Sequence, residues 1–190
     1  MKALLAALLL AGCATVAEQP AGWREVATAQ DRERLRGWRT AWTQALAEAR
    51  AGGFGAQVAA EGALLHPDMG RGDPALPSGA YRCRVVKLGG DLLPFVAYPA
   101  FRCRVEGSRF VKLTGSQRPV GTLYPDGPGR AVFLGTLQLG DERAALPYGR
   151  DRSRDLAAWV ERVGPTRWRM VFPRPAFEST LDVLELTPER

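Results

Sequence analysis

The rhythm of hydrophobic and polar positions changes partway along this chain. From Asp31 to Arg50 the apolar residues Leu35, Trp38, Trp42, Ala45, Leu46 and Ala49 recur at spacings of three and four, with Arg32, Arg36, Arg39, Thr43 and Arg50 between them. That period lines one face of a helix, and Gly52-Gly53 supplies its stop. A helix of this length spans about 30 Å, enough to lie across one face of a small domain. Ala56 to Leu65 supports a second short helix ended by His66-Pro67, and Asp68 to Ser78 reads as a Pro/Gly-rich connector.

From Tyr81 the period becomes two. Tyr81 to Leu88, Phe101 to Val105, Phe110 to Leu113, Val120 to Tyr124, Ala131 to Leu139, Leu156 to Val163, Arg167 to Phe172 and Thr180 to Leu186 read as eight strands. Glu106-Gly107-Ser108, Thr114-Gly115-Ser116, Pro125 to Gly129 and Gly164-Pro165 supply turns between several of them. Strands this close, without intervening helices, pair mainly antiparallel. The expected fold is therefore α+β: an N-terminal amphipathic helix and a short second helix packed on a roughly eight-stranded curved sheet or small β-barrel. Such a barrel either fills with side chains or holds one small ligand.

The residues before Asp31 carry no hydrophobic period of a folded element. Met1-Lys2 is a positive start, Ala3 to Ala11 is all Ala and Leu, and Leu10-Ala11-Gly12-Cys13 resembles the lipobox of bacterial lipoproteins. The expected organisation is a signal peptide over 1–12, a lipid-anchored tether over 13–30 and one globular domain over 31–190, helical over 31–65 and β over 80–187. In this reading lipidated Cys13 becomes the new N-terminus and attaches the chain to a membrane. Ala14 in place of Asp after it implies an outer-membrane lipoprotein facing the periplasm.

Export changes the reading of the other two cysteines, because disulfides persist outside the cytoplasm. Cys83 and Cys103 sit 20 residues apart in matched settings, Tyr81-Arg82-Cys83-Arg84 and Phe101-Arg102-Cys103-Arg104. A bridge between them would contribute roughly 3 kcal/mol by restricting the unfolded chain; two free thiols or a metal pair are the alternatives. With a single histidine, His66, the chain is poor in zinc ligands, and no metal or cofactor is expected.

Alternation places Tyr81, Cys83 and Val85 on one face and Arg82 and Arg84 on the other, with Arg102 and Arg104 matching them on the second strand. Guanidinium forks suit carboxylate or phosphate, so these four arginines form a candidate anion- or partner-binding surface. Charge agrees in sign: the chain carries +6, and a signal peptide containing Lys2 and no acid would leave +5. Only three bases are lysines, Lys2, Lys87 and Lys112, the rest being arginine. Nucleic acid is excluded as a partner by the expected compartment.

Four phrases carry a family resemblance: YRCRVVKLG from Tyr81, KLTGSQRPVGTLYPDG from Lys112, VFLGTLQLGDE from Val132 and RWRMVFPRPAFESTLDVLEL from Arg167. Together they resemble a proteobacterial family of exported proteins, domain of unknown function 4893, across roughly Leu35 to Pro188, with Ala158 at a position where the family usually has Gly. The resemblance implies no activity and no catalytic residues. The residues themselves offer no complete catalytic motif. His66 precedes Pro67 in a connector with no orienting partner, and the carboxylates open to a hydrolase are Asp141-Glu142 and Asp151/Asp155, in loop contexts typical of turn formers. The expectation is a non-catalytic binding module for an envelope protein or an anionic envelope component, with a cell-envelope hydrolase using loop carboxylates as the alternative.

Overall fold

A computed structural model describes residues 22–90 and 94–189; the expected signal peptide and Cys13 lie outside them. Each run of alternating residues from Tyr81 onward becomes a strand, and the strands close. They are β1 (Gly79–Leu88), β2 (Phe95–Ala97), β3 (Phe101–Glu106), β4 (Arg109–Lys112), β5 (Gln117–Pro125), β6 (Ala131–Leu139), β7 (Asp155–Gly164), β8 (Arg167–Pro173) and β9 (Leu181–Pro188). From β3 to β9 each pairs antiparallel with the next. β9 returns along β1, from Tyr81↔Pro188 to Leu88↔Leu181, and completes an eight-stranded antiparallel barrel.

The ninth strand, β2, is absent from the sequence reading. It pairs with Val86 to Leu88, residues whose other edge belongs to β9, so β2 and β3 follow one edge of β1 as a single interrupted strand. The interruption falls at Tyr98-Pro99-Ala100, where Pro99 has no N–H to give the ladder.

Among the described residues four helices precede the barrel: α1 (Trp23–Val26), α2 (Ala29–Arg36), α3 (Trp38–Ala51) and α4 (Gly55–Ala60), the last followed by a 3-10 turn over Gly62–Leu64. The single long helix expected over Asp31 to Arg50 is thus two, broken at Gly37, whose ψ of 6° leaves the helical range. Folded structure also begins before Asp31. Trp23 and Ala27 are buried, and the Trp23 Nε1–H donates to Asp126 while the ring meets Trp159 edge-on.

The helices cover one side of the barrel. Leu35, Trp42, Ala45, Leu46, Ala49 and Leu64 pack on outward residues of β1 and β6–β9, among them Val86, Leu134, Trp159 and Val183. Those strands are apolar on both faces for this reason, whereas β3 alternates buried and exposed because its outer face is bare. A buried ion pair fastens the layers. Arg169, opposite Glu161 across β7 and β8, donates to Glu161 at 2.6 Å and to the carbonyls of Ala63, Leu64, His66 and Pro67, with its guanidinium 4.6 Å from the Trp42 ring centroid.

Inside, one end of the barrel is filled. Phe110, Phe133 and Phe172 form a chain of edge-on rings beside Tyr81, Val105, Trp168 and Met170. Phe133 fits because Gly121 and Gly135 face each other on β5 and β6; a Cβ on either would come within 2.7 Å of its ring. Ala158, directly opposite Phe133 on β7, keeps the third neighbour small. The connector closes this end, with Leu76 buried and the Tyr81 hydroxyl donating to the Pro77 carbonyl at 2.6 Å.

Candidate functional site

The other end of the barrel is open, and alternation determines what faces into it. On β1 the inward series Tyr81, Cys83, Val85 ends in Lys87; on β4, Phe110 is followed by Lys112; on β9, Leu184 is preceded by Asp182. Val85 pairs with Leu184, and Lys87 with Asp182 two residues nearer the mouth. A cavity of about 210 Å³ results, with Val85, Phe101, Leu137, Leu156, Phe172 and Leu184 among its apolar walls and the charged groups among them. That volume holds about seven groups the size of water.

The two lysines are buried and held differently. Lys87 Nζ lies 3.1 Å from Asp182 Oδ2 and 3.4 Å from Glu178 Oε2. Asp182 also accepts from the Ser179 hydroxyl. Burial pushes the Asp182 carboxyl above the ordinary range, while Lys87 and Ser179 pull it back. Lys112 has no carboxylate partner among the described residues. Its ammonium donates to the carbonyls of Thr114 at 2.9 Å and Gln117 at 2.8 Å and sits 3.7 Å from the Phe101 ring centroid. Burial lowers its pKa to about 8, with Arg118 and Lys87 adding to the effect.

Over the cavity lies the β8–β9 loop, whose Pro175, Ala176, Phe177 and Glu178 form part of the lining. Its base is fixed: Arg174 N–H donates to the Thr180 carbonyl, Arg174 Nη2 to Gln44, and the Thr180 hydroxyl to Glu48 on α3. Arg174 at one anchor adopts φ 47° and Glu178 within the loop φ 70°, left-handed values that residues other than glycine rarely take.

The residues singled out from sequence fall elsewhere. Cys83 and Cys103 form a disulfide with a Cα–Cα distance of 5.9 Å, inside the filled half. Arg82, Arg102 and Arg104 are exposed on the bare outer face, Arg82 directly opposite Arg102, and Arg104 pairs with Glu106 at 3.1 Å. Arg84 leaves this group: half-buried, it donates to both Glu61 and Glu185, which hold its charge more firmly than an ordinary guanidinium's. His66 is exposed and accepts from the Asp68 N–H.

Glu142 accepts from the Leu139 N–H and pairs with Arg154, Asp151 closes a turn on Ser153, and buried Asp155 accepts from the Gly149 N–H. None of these carboxylates, nor Asp141, lines the cavity. Among the described residues no group of three or more His, Cys, Asp and Glu is placed to hold a metal, and no helix is long and apolar enough to cross a membrane.

Sequence reasoning missed Lys87, Lys112 and Asp182, although a signal for the first two was present. Past Lys2 the chain uses arginine for every base except these two, and both face the barrel interior. A buried arginine needs room for a planar fork with five donors; lysine carries its charge on a compact ammonium that fits between strands.

The family model described as Domain of unknown function (DUF4893) matches residues 23–186, from the first buried tryptophan into the last residues of β9, and the chain belongs to that family. No curated protein and no solved structure matches it.

Proposed function

We propose that this family member is a non-catalytic binding module of the cell envelope, and that the barrel mouth takes an anionic envelope component with an apolar end. In this reading the chain is exported and held at the outer membrane, facing the periplasm, through lipid on Cys13. The observation that carries it is the cavity: apolar walls, two buried ammonium groups and one half-buried carboxylate at the open end of an otherwise filled barrel. A side-chain-filled barrel needs no lysine inside, and an unpaired buried ammonium destabilises the fold unless something uses it. The hydrolase alternative has no comparable support, because its candidate carboxylates are engaged in turns and ion pairs away from the cavity.

The test is titration of the soluble domain with eight-carbon amphiphiles, read by amide chemical shifts, beside the variant Leu137→Trp. Leu137 lines the cavity, so the indole should occupy it. Binding in the native protein with shifts clustered around Lys87, Lys112 and Phe177, lost in the variant, is the expected result. Shifts that persist unchanged in a folded Leu137→Trp protein would place the ligand elsewhere.

A further inference from the structure

The lid presents its own carboxylate to the site. Glu178 is the one lid residue whose charge reaches the cavity: its Oε2 stands 3.4 Å from Lys87 Nζ, while its side chain remains 60% exposed. We propose that Glu178 is a built-in competitor anion: it occupies Lys87 when the barrel is empty and is displaced by the anionic head of a monoanionic amphiphile whose apolar end enters the cavity. This inference rests on the binding reading of the barrel mouth and adds the charge, size and control of the ligand.

Charge comes first. With Asp182 ionised against Lys87, the cavity groups Lys87, Lys112 and Asp182 sum to one positive charge, and Glu178 neutralises it from the lid. Once Glu178 swings out, a ligand bearing one negative charge restores neutrality in a site of low dielectric; a dianion would overshoot and a neutral amphiphile would leave the excess uncompensated. Lysine ammonium groups act as point charges and impose no fork geometry, so the shared requirement is a single anionic head.

Size comes second. About 210 Å³ accommodates about seven methylene-sized groups, which suits a chain of roughly six to eight carbons, or the end of a longer one whose remainder leaves through the mouth.

The lid is arranged for exchange rather than for permanent closure. Its base is fastened through Arg174, Thr180 and Ser179 to Gln44, Glu48 and Asp182, so movement is confined to Pro175–Glu178. Glu178 holds a left-handed φ of 70° there, a conformation unfavourable for a residue other than glycine and one that displacement would release. The Glu178–Lys87 contact is half in water, and a half-solvated pair exchanges partners at small cost.

The experiment compares octanoate with octanol by calorimetric titration of the native domain, Glu178→Gln and Glu178→Ala, with Leu137→Trp as the filled control. Native protein should prefer octanoate. Both Glu178 variants should bind octanoate about tenfold tighter while octanol affinity stays unchanged. Tightening of both ligands equally would overturn the proposal, since it would mean that the lid obstructs by bulk rather than competes by charge. Unchanged or weaker octanoate binding in the variants would also overturn it, and the binding reading would survive if octanoate still bound the native protein and failed on Leu137→Trp. Neither ligand binding any of these proteins would remove the binding reading itself.

Discussion

The two ends of this barrel are built by the same strands under the same alternation, yet they follow opposite physical rules. At the connector end the inward positions are Tyr81, the Cys83–Cys103 bridge, Phe110, Phe133, Trp168 and Met170, packed ring edge to ring face. At the mouth the same strands turn in Lys87, Lys112 and Asp182, and the packing stops at a cavity. Burying aromatic area favours folding; burying an ammonium without a carboxylate opposes it. One end therefore secures the fold against which the other can hold strained, desolvated charge, the usual division between scaffold and site.

Breaking the scaffold end should give the largest effect. Phe133→Ala removes a fully buried ring that touches both Phe110 and Phe172 and leaves the Gly121 and Gly135 surfaces without their cover. We expect a loss of about 3–5 kcal/mol in denaturant unfolding. Octanoate affinity, measured under conditions where the variant is folded, should change little, because Phe133 does not line the cavity. A large loss of affinity with little loss of stability would show that the two ends are not separable.

Much of the scaffold end was legible in the chain. Short apolar or alternating runs separated by Gly-containing turns located all eight barrel strands, and the matched settings of Cys83 and Cys103 pointed to their bridge. Gly37 within an otherwise continuous helical period and Pro99 before a strand were the places where local backbone chemistry overrode the hydrophobic pattern. The mouth was less legible for a physical reason. A lysine facing inward at the end of a strand reads like any polar residue near a turn, and only closure of β9 on β1 brings Lys87, Asp182 and Lys112 around one space. The Arg82–Arg104 cluster was visible because it is local in sequence; the capture of Arg84 by Glu61 and Glu185, 23 and 101 residues away, was not.

A sharper test of the contrast removes one charge from the mouth. Lys112→Met keeps the length of the side chain and discards the desolvated ammonium, so the domain should be stabilised by about 1 kcal/mol near neutral pH, while octanoate binds at least tenfold less well. The pH dependence gives the sign independently. Folded Lys112 releases its proton near pH 8, whereas in the unfolded chain it does so near 10.5. Between those values the unfolded chain holds more protons, so raising the pH favours the fold. The advantage of Lys112→Met should therefore be largest below pH 8 and shrink as the pH rises toward 10, measured as the difference in Tm. A constant difference across that range would mean that Lys112 is not the desolvated cation described here.

The smallest effect belongs to the bare outer face, where charge is solvated and cheap. Arg82 and Arg102 stand directly opposite across β1 and β3, exposed, with no ion-pair partner among the described residues. Like charges in that position oppose strand pairing by only about 0.2–1 kcal/mol. Arg82→Gln should thus raise stability by a few tenths of a kcal/mol at low ionic strength, and the gain should vanish in high salt as the repulsion is screened. If these arginines also meet an anionic envelope partner, the combined Arg82→Gln, Arg102→Gln and Arg104→Gln protein should be retained less by isolated envelopes at low salt, with octanoate affinity unchanged. The mouth and the outer face then act separately, one on a small amphiphile and one on a large polyanion. Unchanged envelope retention together with the small gain in stability would leave the arginines as ordinary solvated surface and the mouth as the only site of recognition.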